Sequence, residues 1–286
     1  MEANRCSKLA AVCLLTMALT SSGVVESRSV YDKMLFHPRK EYNSAPAEVG
    51  GVKRREVTFS SSHGEQLRGW LFDLPDSDKI VLVSEGNGGN MDYLTRLAEI
   101  LLQCNASVLL YDYEGYGKSA GSPSIGRAVD DAKSAYDFMV KTLGTNKKIV
   151  LLGVSLSTGV TCQLATQRKA DAIVLTAPFT SLLNMARMKN AFFRHVPTIA
   201  LPRQHLDNVA VLSKPHPPVL IVHGTADTLI PLSESEKLFE AAIEPKSFVQ
   251  MKNAGHNDIF RNHKDEYLEA LKAFFSKYLQ TGAAAT

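Results

Sequence analysis

The sequence is sparing with the features that mark specialised classes. Its 286 residues include four cysteines, and two of these, Cys6 and Cys13, fall in the first 23 residues, which read as a targeting segment. The remaining pair, Cys104 and Cys162, could form a disulfide if the chain is exported. No internal repeat occurs, and no low-complexity tract beyond the terminal TGAAAT. Neither sign of charge dominates: 32 basic and 29 acidic residues leave a formal net charge of +3. The basic residues are scattered, and a short cluster such as Lys53–Arg55 reads as one solvated strand edge, so no nucleic-acid partner is expected. Histidines, cysteines and carboxylates do not gather at metal-ligand spacing, and no metal site is expected. The apolar run at Leu9–Leu19 is well short of the roughly 20 residues that span a bilayer.

What is present suits a soluble domain. Hydrophobic residues make up 45% of the chain and charged ones 21%, enough apolar material for a sizeable core in one α/β domain. The N-terminus is a separate object. Arg5 and Lys8 precede the apolar run, and TSSG follows it, the layout of a secretory signal peptide over residues 1–23 with cleavage after Gly23. The expected localisation is therefore secreted or periplasmic. The alternative is an uncleaved anchor, which would add membrane association. Residues 24–51 form a polar lead-in segment with Pro38 and Pro46, and the folded domain is expected over 52–280.

Within that domain, strand-like and helical runs alternate. REVTFSS and LRGWLFDL flank His63–Gly64 and predict a hairpin. KIVLVS (79–84) and ASVLLYDY (106–113) are nearly continuous apolar runs, as expected for strands covered on both faces. Between them MDYLTRLAEILLQC carries apolar residues at helical spacing. IGRAVDDAKSAYDFMVKTL predicts an amphipathic helix, KKIVLLGV a strand and LSTGVTCQLATQR a helix. DAIVLTAP, PPVLIVHG and KSFVQM read as further strands, with helices at ESEKLFEAAI and HKDEYLEALKAFFSKYLQ. The fold class is therefore α/β, a mostly parallel twisted sheet with helices on both faces. Ligands on such sheets bind beyond the carboxyl ends of the strands.

Three strand ends carry candidate chemistry. Ser155 follows IVLLGV, Asp227 follows VLIVHG, and His256 follows SFVQM. A serine hydroxyl is a weak nucleophile at neutral pH unless an imidazole accepts its proton. A carboxylate must then hold that imidazole in the right tautomer and stabilise its cation. Taken singly, Ser155 could be a helix cap, Asp227 a turn former and His256 a satisfied surface group. Their joint placement in the order Ser, Asp, His after successive strands favours a catalytic triad. Two glycine-rich look-alikes fail. GYGKS ends like a P-loop, but Asp112 stands where the first glycine belongs, and GSP rather than a helix follows the imitation of a dinucleotide fingerprint. No nucleotide and no other cofactor is expected.

With these residues goes a set of motifs: MLFHP, EGNGGN (85–90), YDYEGYGKSAGSPS (111–124), GVSLS (153–157), APFTSL (177–182), HGTADTLIP (223–231) and AGHND (254–258). By them the chain resembles the α/β-hydrolase superfamily, and within it the serine-aminopeptidase-like and membrane-associated α/β-hydrolase-domain proteins. The resemblance implies an α/β-hydrolase fold with a short helical lid at about 178–215. It also implies an oxyanion hole at the backbone N–H groups of Leu156 and of Asn87, with Gly88 as an alternative second donor. The implied activity is acyl transfer to water from an ester, thioester or amide through an acyl-enzyme. The short apolar lid favours esterase or thioesterase over aminopeptidase and suggests a small-molecule or acyl substrate; its residues Met185, Met188, Phe192 and Phe193 could equally cover the sheet's end without touching substrate. A non-catalytic binding protein on the same fold, and acyl transfer to an alcohol, are the alternatives.

Three positions depart from the family pattern. Ser157 replaces the glycine that closes the nucleophile motif, and its hydroxyl is expected to bond a carbonyl of the preceding turn. Glu85 stands where relatives have histidine and Glu114 where they commonly have arginine; one hypothesis is an acidic rim that favours a cationic substrate, the other simple drift. In the family's winding Cys104 and Cys162 lie on opposite faces of the sheet, so both are expected to be free thiols.

Overall fold

The computed structural model describes residues 30–144, 146–189 and 206–279. The signal-like segment 1–23 lies outside the described residues, as does part of the proposed lid, including Phe192 and Phe193. Among the described residues, no helix is long and apolar enough to cross a membrane.

Nine strands form one sheet among the described residues: β1 (Glu48–Val49), β2 (Val52–Ser60), β3 (Gln66–Phe72), β4 (Lys79–Ser84), β5 (Ala106–Tyr111), β6 (Lys148–Val154), β7 (Ala172–Thr176), β8 (Val219–Gly224) and β9 (Lys246–Met251). The spatial order is β9-β8-β7-β6-β4-β5-β3-β2-β1. Strands β4 to β9 pair in parallel, whereas β1, β2 and β3 join antiparallel at one edge. The hairpin read at His63–Gly64 is the β2–β3 connection, with Ser60 opposite Gln66.

The helices are α1 (Val30–Leu35), α2 (Thr95–Leu102), α3 (Ile125–Leu143), α4 (Ser157–Ala165), α5 (Leu182–Lys189), α6 (Asn208–Leu212), α7 (Leu232–Ala241), α8 (Ile259–Asn262) and α9 (Lys264–Tyr278). The two-residue period of the strands divides the core. Val81 and Val83 of β4 face one side, with Leu97 and Leu101 of α2 and Leu271 and Phe275 of α9. Ile80 and Leu82 face the other, with Ala128, Ala132 and Met139 of α3 and Val160 of α4. Cys104 is buried on the first side and Cys162 on the second, and both are free. Burial pushes the Cys104 thiol up to about 11 and raises that of Cys162 as well, so both are inert core residues.

Residues read as a lead-in segment are folded here. After α1, Phe36 is buried, and His37–Pro38 runs parallel to Gly88–Gly89 in the loop that follows β4. Hydrogen bonds to the loop after β4 anchor this stretch together with the burial of Phe36.

Candidate active site

Strand β6 ends at Val154, and the chain turns into α4 through Ser155, whose φ of +56° lies in the left-handed region. A side-chain-bearing residue there costs on the order of 1–3 kcal/mol and persists only where its surroundings hold it. The Ser155 N–H donates to Thr176 O of β7 at 2.9 Å, and the Thr158 N–H to Ser155 O at 3.0 Å. Gly153 is needed for the tightness of this turn: a Cβ there would lie 2.5 Å from both Ser157 O and Thr161 Oγ1.

Ser157 is fully buried and fits where the family has glycine. Its hydroxyl accepts the Val154 N–H at 2.7 Å and lies 2.7 Å from Ser84 O and 3.0 Å from Val154 O. The expected bond to the preceding turn is present, and the shorter one to Ser84 ties the elbow to the end of β4.

The three distant loops meet. Ser155 Oγ lies 3.0 Å from His256 Nε2, and His256 Nδ1 lies 2.6 Å from Asp227 Oδ2. Gly224 makes room for this meeting, since a Cβ on it would lie 2.2 Å from Ala254 O in the His256 loop. Asp227 Oδ1 accepts the N–H groups of Leu229 and Ile230, each at 2.8 Å. Burial alone would raise the Asp227 carboxyl. Hydrogen bonds from His223, His256 and the Ile230 N–H outweigh it and hold the group below the usual carboxylate range.

His223 is the residue that sequence reasoning passed over as a strand end. It is fully buried, with Nδ1 2.6 Å from Ser235 Oγ and Nε2 2.9 Å from Ile230 O. A carbonyl only accepts, so Nε2 carries the proton and Nδ1 accepts from Ser235. That same Nε2 is 3.3 Å from Asp227 Oδ2. The available signal was the four-residue step from His223 to Asp227 in HGTAD.

Asn87 and Leu156, the candidate oxyanion donors, sit on the two loops beside Ser155. Gly86 passes 3.8 Å from Ser155 Cβ, measured from where its own Cβ would be. The Asn87 carbonyl is held by the His37 N–H at 2.8 Å and Tyr116 OH at 2.5 Å, and the Asn87 side-chain amide donates to Leu35 O at 3.1 Å.

The acidic-rim hypothesis does not survive. Glu114 is fully buried, ion-paired with Arg127 and bonded by Ser61 Oγ at 2.9 Å. Glu85 is buried too: Oε1 accepts the Tyr113 N–H at 3.3 Å, and Oε2 has no partner among the described residues. Burial first, and the neighbouring Asp112 charge second, raise its carboxyl well above the usual range. Burial also raises Asp112, but Tyr42 OH and the Met91 N–H at 2.8 Å support its ionised form, so the proton of the pair belongs to Glu85. Neither glutamate presents charge to a substrate.

Around the site, α5 carries Met185, which packs against the core cluster containing Leu156, and Met188, which is exposed. Part of the proposed lid at about 178–215, residues 190–205, lies outside the described residues. Its flanks are α5 and α6.

The serine aminopeptidase S33 family model matches residues 75–216. An uncharacterized protein of Mycobacterium tuberculosis is 32% identical over 284 residues, covering 97% of this chain and 98% of that one. Alpha/beta hydrolase domain-containing protein 17C of Mus musculus is 32% identical over 251 residues, covering 84% of this chain and 73% of its own. Among solved structures, an esterase of Pyrococcus furiosus superposes with a TM-score of 0.72 at 17% identity, over 86% of this chain and 99% of that one.

Proposed function

Because the chain belongs to the α/β-hydrolase superfamily, we propose that it is a serine hydrolase acting on a carboxylic ester, thioester or amide through an acyl-enzyme. The observation that carries this reading is the continuous path from Ser155 Oγ through His256 to Asp227, at 3.0 and 2.6 Å. In it His256 Nε2 takes the Ser155 proton as Oγ attacks the carbonyl carbon, and returns it to the leaving group. Asp227 holds Nδ1–H and stabilises the imidazolium. The N–H groups of Asn87 and Leu156 receive the oxyanion, and losing one such donor typically costs about 10²–10³ in rate. Water, activated by His256, then releases the acid.

An apolar acyl group suits the surroundings better than a charged one. Leu229, two residues from Asp227, is 48% exposed, and Met185 on α5 packs against the cluster that contains Leu156. With both nearby glutamates buried, this favours ester or thioester over a cationic aminoacyl substrate. Export through the N-terminal segment is proposed on sequence alone.

The test is a fluorophosphonate probe followed by a panel of p-nitrophenyl esters of graded chain length and aminoacyl anilides. Labelling of the wild type, lost in Ser155→Ala, is the expected result, with ester turnover rising with acyl length. A folded wild type that takes no label would place the chain among binding proteins on this fold.

A further inference from the structure

The loop that bears the candidate oxyanion donor Asn87 is held from outside by residues 35–44, and Arg39 is where the two are fastened. Backbone pairing comes first: His37 N–H donates to Asn87 O and Arg39 N–H to Gly89 O, both at 2.8 Å. In return, the Asn90 amide donates to Arg39 O at 3.1 Å and Glu41 O at 2.8 Å. The Arg39 guanidinium uses all its edges. Nη2 reaches both Asp92 oxygens at 2.6 Å and Asn90 Oδ1 at 3.3 Å, Nη1 reaches Tyr93 OH at 2.9 Å, and Nε reaches Glu41 O at 2.8 Å. Asp92 is only 3% exposed at its side chain, and it also accepts the Asn43 N–H at 2.5 Å. A charge-assisted pair of this geometry is stronger than an ordinary surface ion pair.

Gly88 and Gly89 have no side chains to lock their own conformation, and Gly89 adopts φ +95°. Unassisted, such a loop would sample many backbone states. An oxyanion donor must be fixed before the reaction, since reorganising it in the transition state forfeits its benefit.

Resting on the serine-hydrolase reading above, we propose that residues 35–44 are a strap that presets the loop from Gly86 to Gly89, with Arg39 as a positioning residue acting through Asn87. The strap acts on the loop and not on the substrate. Its effect is on the transition state: kcat depends on it and KM does not.

The test compares Arg39→Gln, Arg39→Lys and Tyr116→Phe with the wild type in the full chain. The last is a mild variant that removes one hydroxyl from the Asn87 carbonyl and keeps the ring. Amide hydrogen exchange at residues 86–90 is read beside kcat and KM on p-nitrophenyl butyrate. Expected are faster exchange in this loop with the sheet unchanged, kcat down about ten- to a hundredfold in Arg39→Gln, KM within about twofold, partial rescue in Arg39→Lys, and a smaller loss in Tyr116→Phe. Unchanged exchange in Arg39→Gln would overturn the strap, whatever Tyr116→Phe shows. Faster exchange with unchanged kcat would overturn its link to catalysis. If Arg39→Gln does not fold, Arg39→Lys, which keeps the charge but loses the forked contacts, decides between these. A wild type without probe labelling at Ser155 removes the hydrolase reading and the catalytic claim with it, while the exchange result still reports whether the strap holds the loop.

Discussion

At the Asp227 carboxylate two imidazoles converge, His223 from the end of β8 and His256 from the loop after β9. His256 takes Nδ1–H to Oδ2 at 2.6 Å, and His223 brings Nε2–H to within 3.3 Å of the same oxygen. The one Nε2 proton of His223 is shared between Ile230 O at 2.9 Å and this oxygen, so His223 is the weaker of the two holds on Asp227. His223→Phe keeps a ring in the space but removes the donor. A shared hydrogen bond of this length is worth about 0.5–1.5 kcal/mol, so kcat/KM on a p-nitrophenyl ester should fall about two- to tenfold. A wild-type value in that variant would mean the backbone N–H groups of Leu229 and Ile230 suffice. Ser157 illustrates how far one residue can be read. A bond from its hydroxyl to the preceding turn was legible, because serine at a helix start bonds nearby backbone. The bond to Ser84 was not, because it spans 73 positions and depends on which strand lies beside β6.

The elements were the most legible level. Strands β4 to β9 follow apolar runs, and α3 spans Ile125–Leu143 as its amphipathic pattern predicts. These patterns are local consequences of period 2 and period 3.6. The anchoring of the segment before β1 was not legible, because it relies on partners more than 40 residues away, such as Asp92 for Arg39 and Asp112 for Tyr42. At the joint of β6 and α4, Gly153→Ala tests whether the elbow tolerates any added atom. Its Cβ would lie 2.5 Å from Ser157 O, a backbone atom that cannot rotate away. Overpacking of this kind costs about 1–3 kcal/mol, which a urea titration would read, and probe labelling of Ser155 should be lost or slowed. Wild-type stability and reactivity in the Gly153→Ala variant would refute the tight packing of this turn.

Across the whole molecule, buried carboxyls set the pH dependence of stability. Asp131 on α3 is fully buried, and burial foremost, then the Glu114 and Asp130 charges against the help of the Glu114 N–H, pushes it up to about 8. The folded state therefore keeps a proton that the unfolded chain releases near the ordinary carboxylate value. Stability from this group is complete below that value and is lost as pH rises toward about 8. Glu85, also raised, acts in the same direction, whereas Asp227, held low, stabilises above the ordinary value and is lost in acid. Asp131→Asn should match the wild type near about pH 5 more closely than near about pH 8, where its urea midpoint should be the higher. An equal gap at both pH values would show that Asp131 is ionised in the folded protein.

The sequence by itself determined the alternation of strand and helix, the order of Ser155, Asp227 and His256, and their positions just after strands. Those properties follow from short-range periodicity and from the rule that parallel sheets present their loops at one end. Only the tertiary structure decided that Glu85 and Glu114 are interior groups, that His223 reaches Asp227, and that residues 35–44 fasten the Asn87 loop. Each depends on burial and on partners far along the chain, and whether a carboxylate faces water or an arginine is settled by packing that no local pattern encodes.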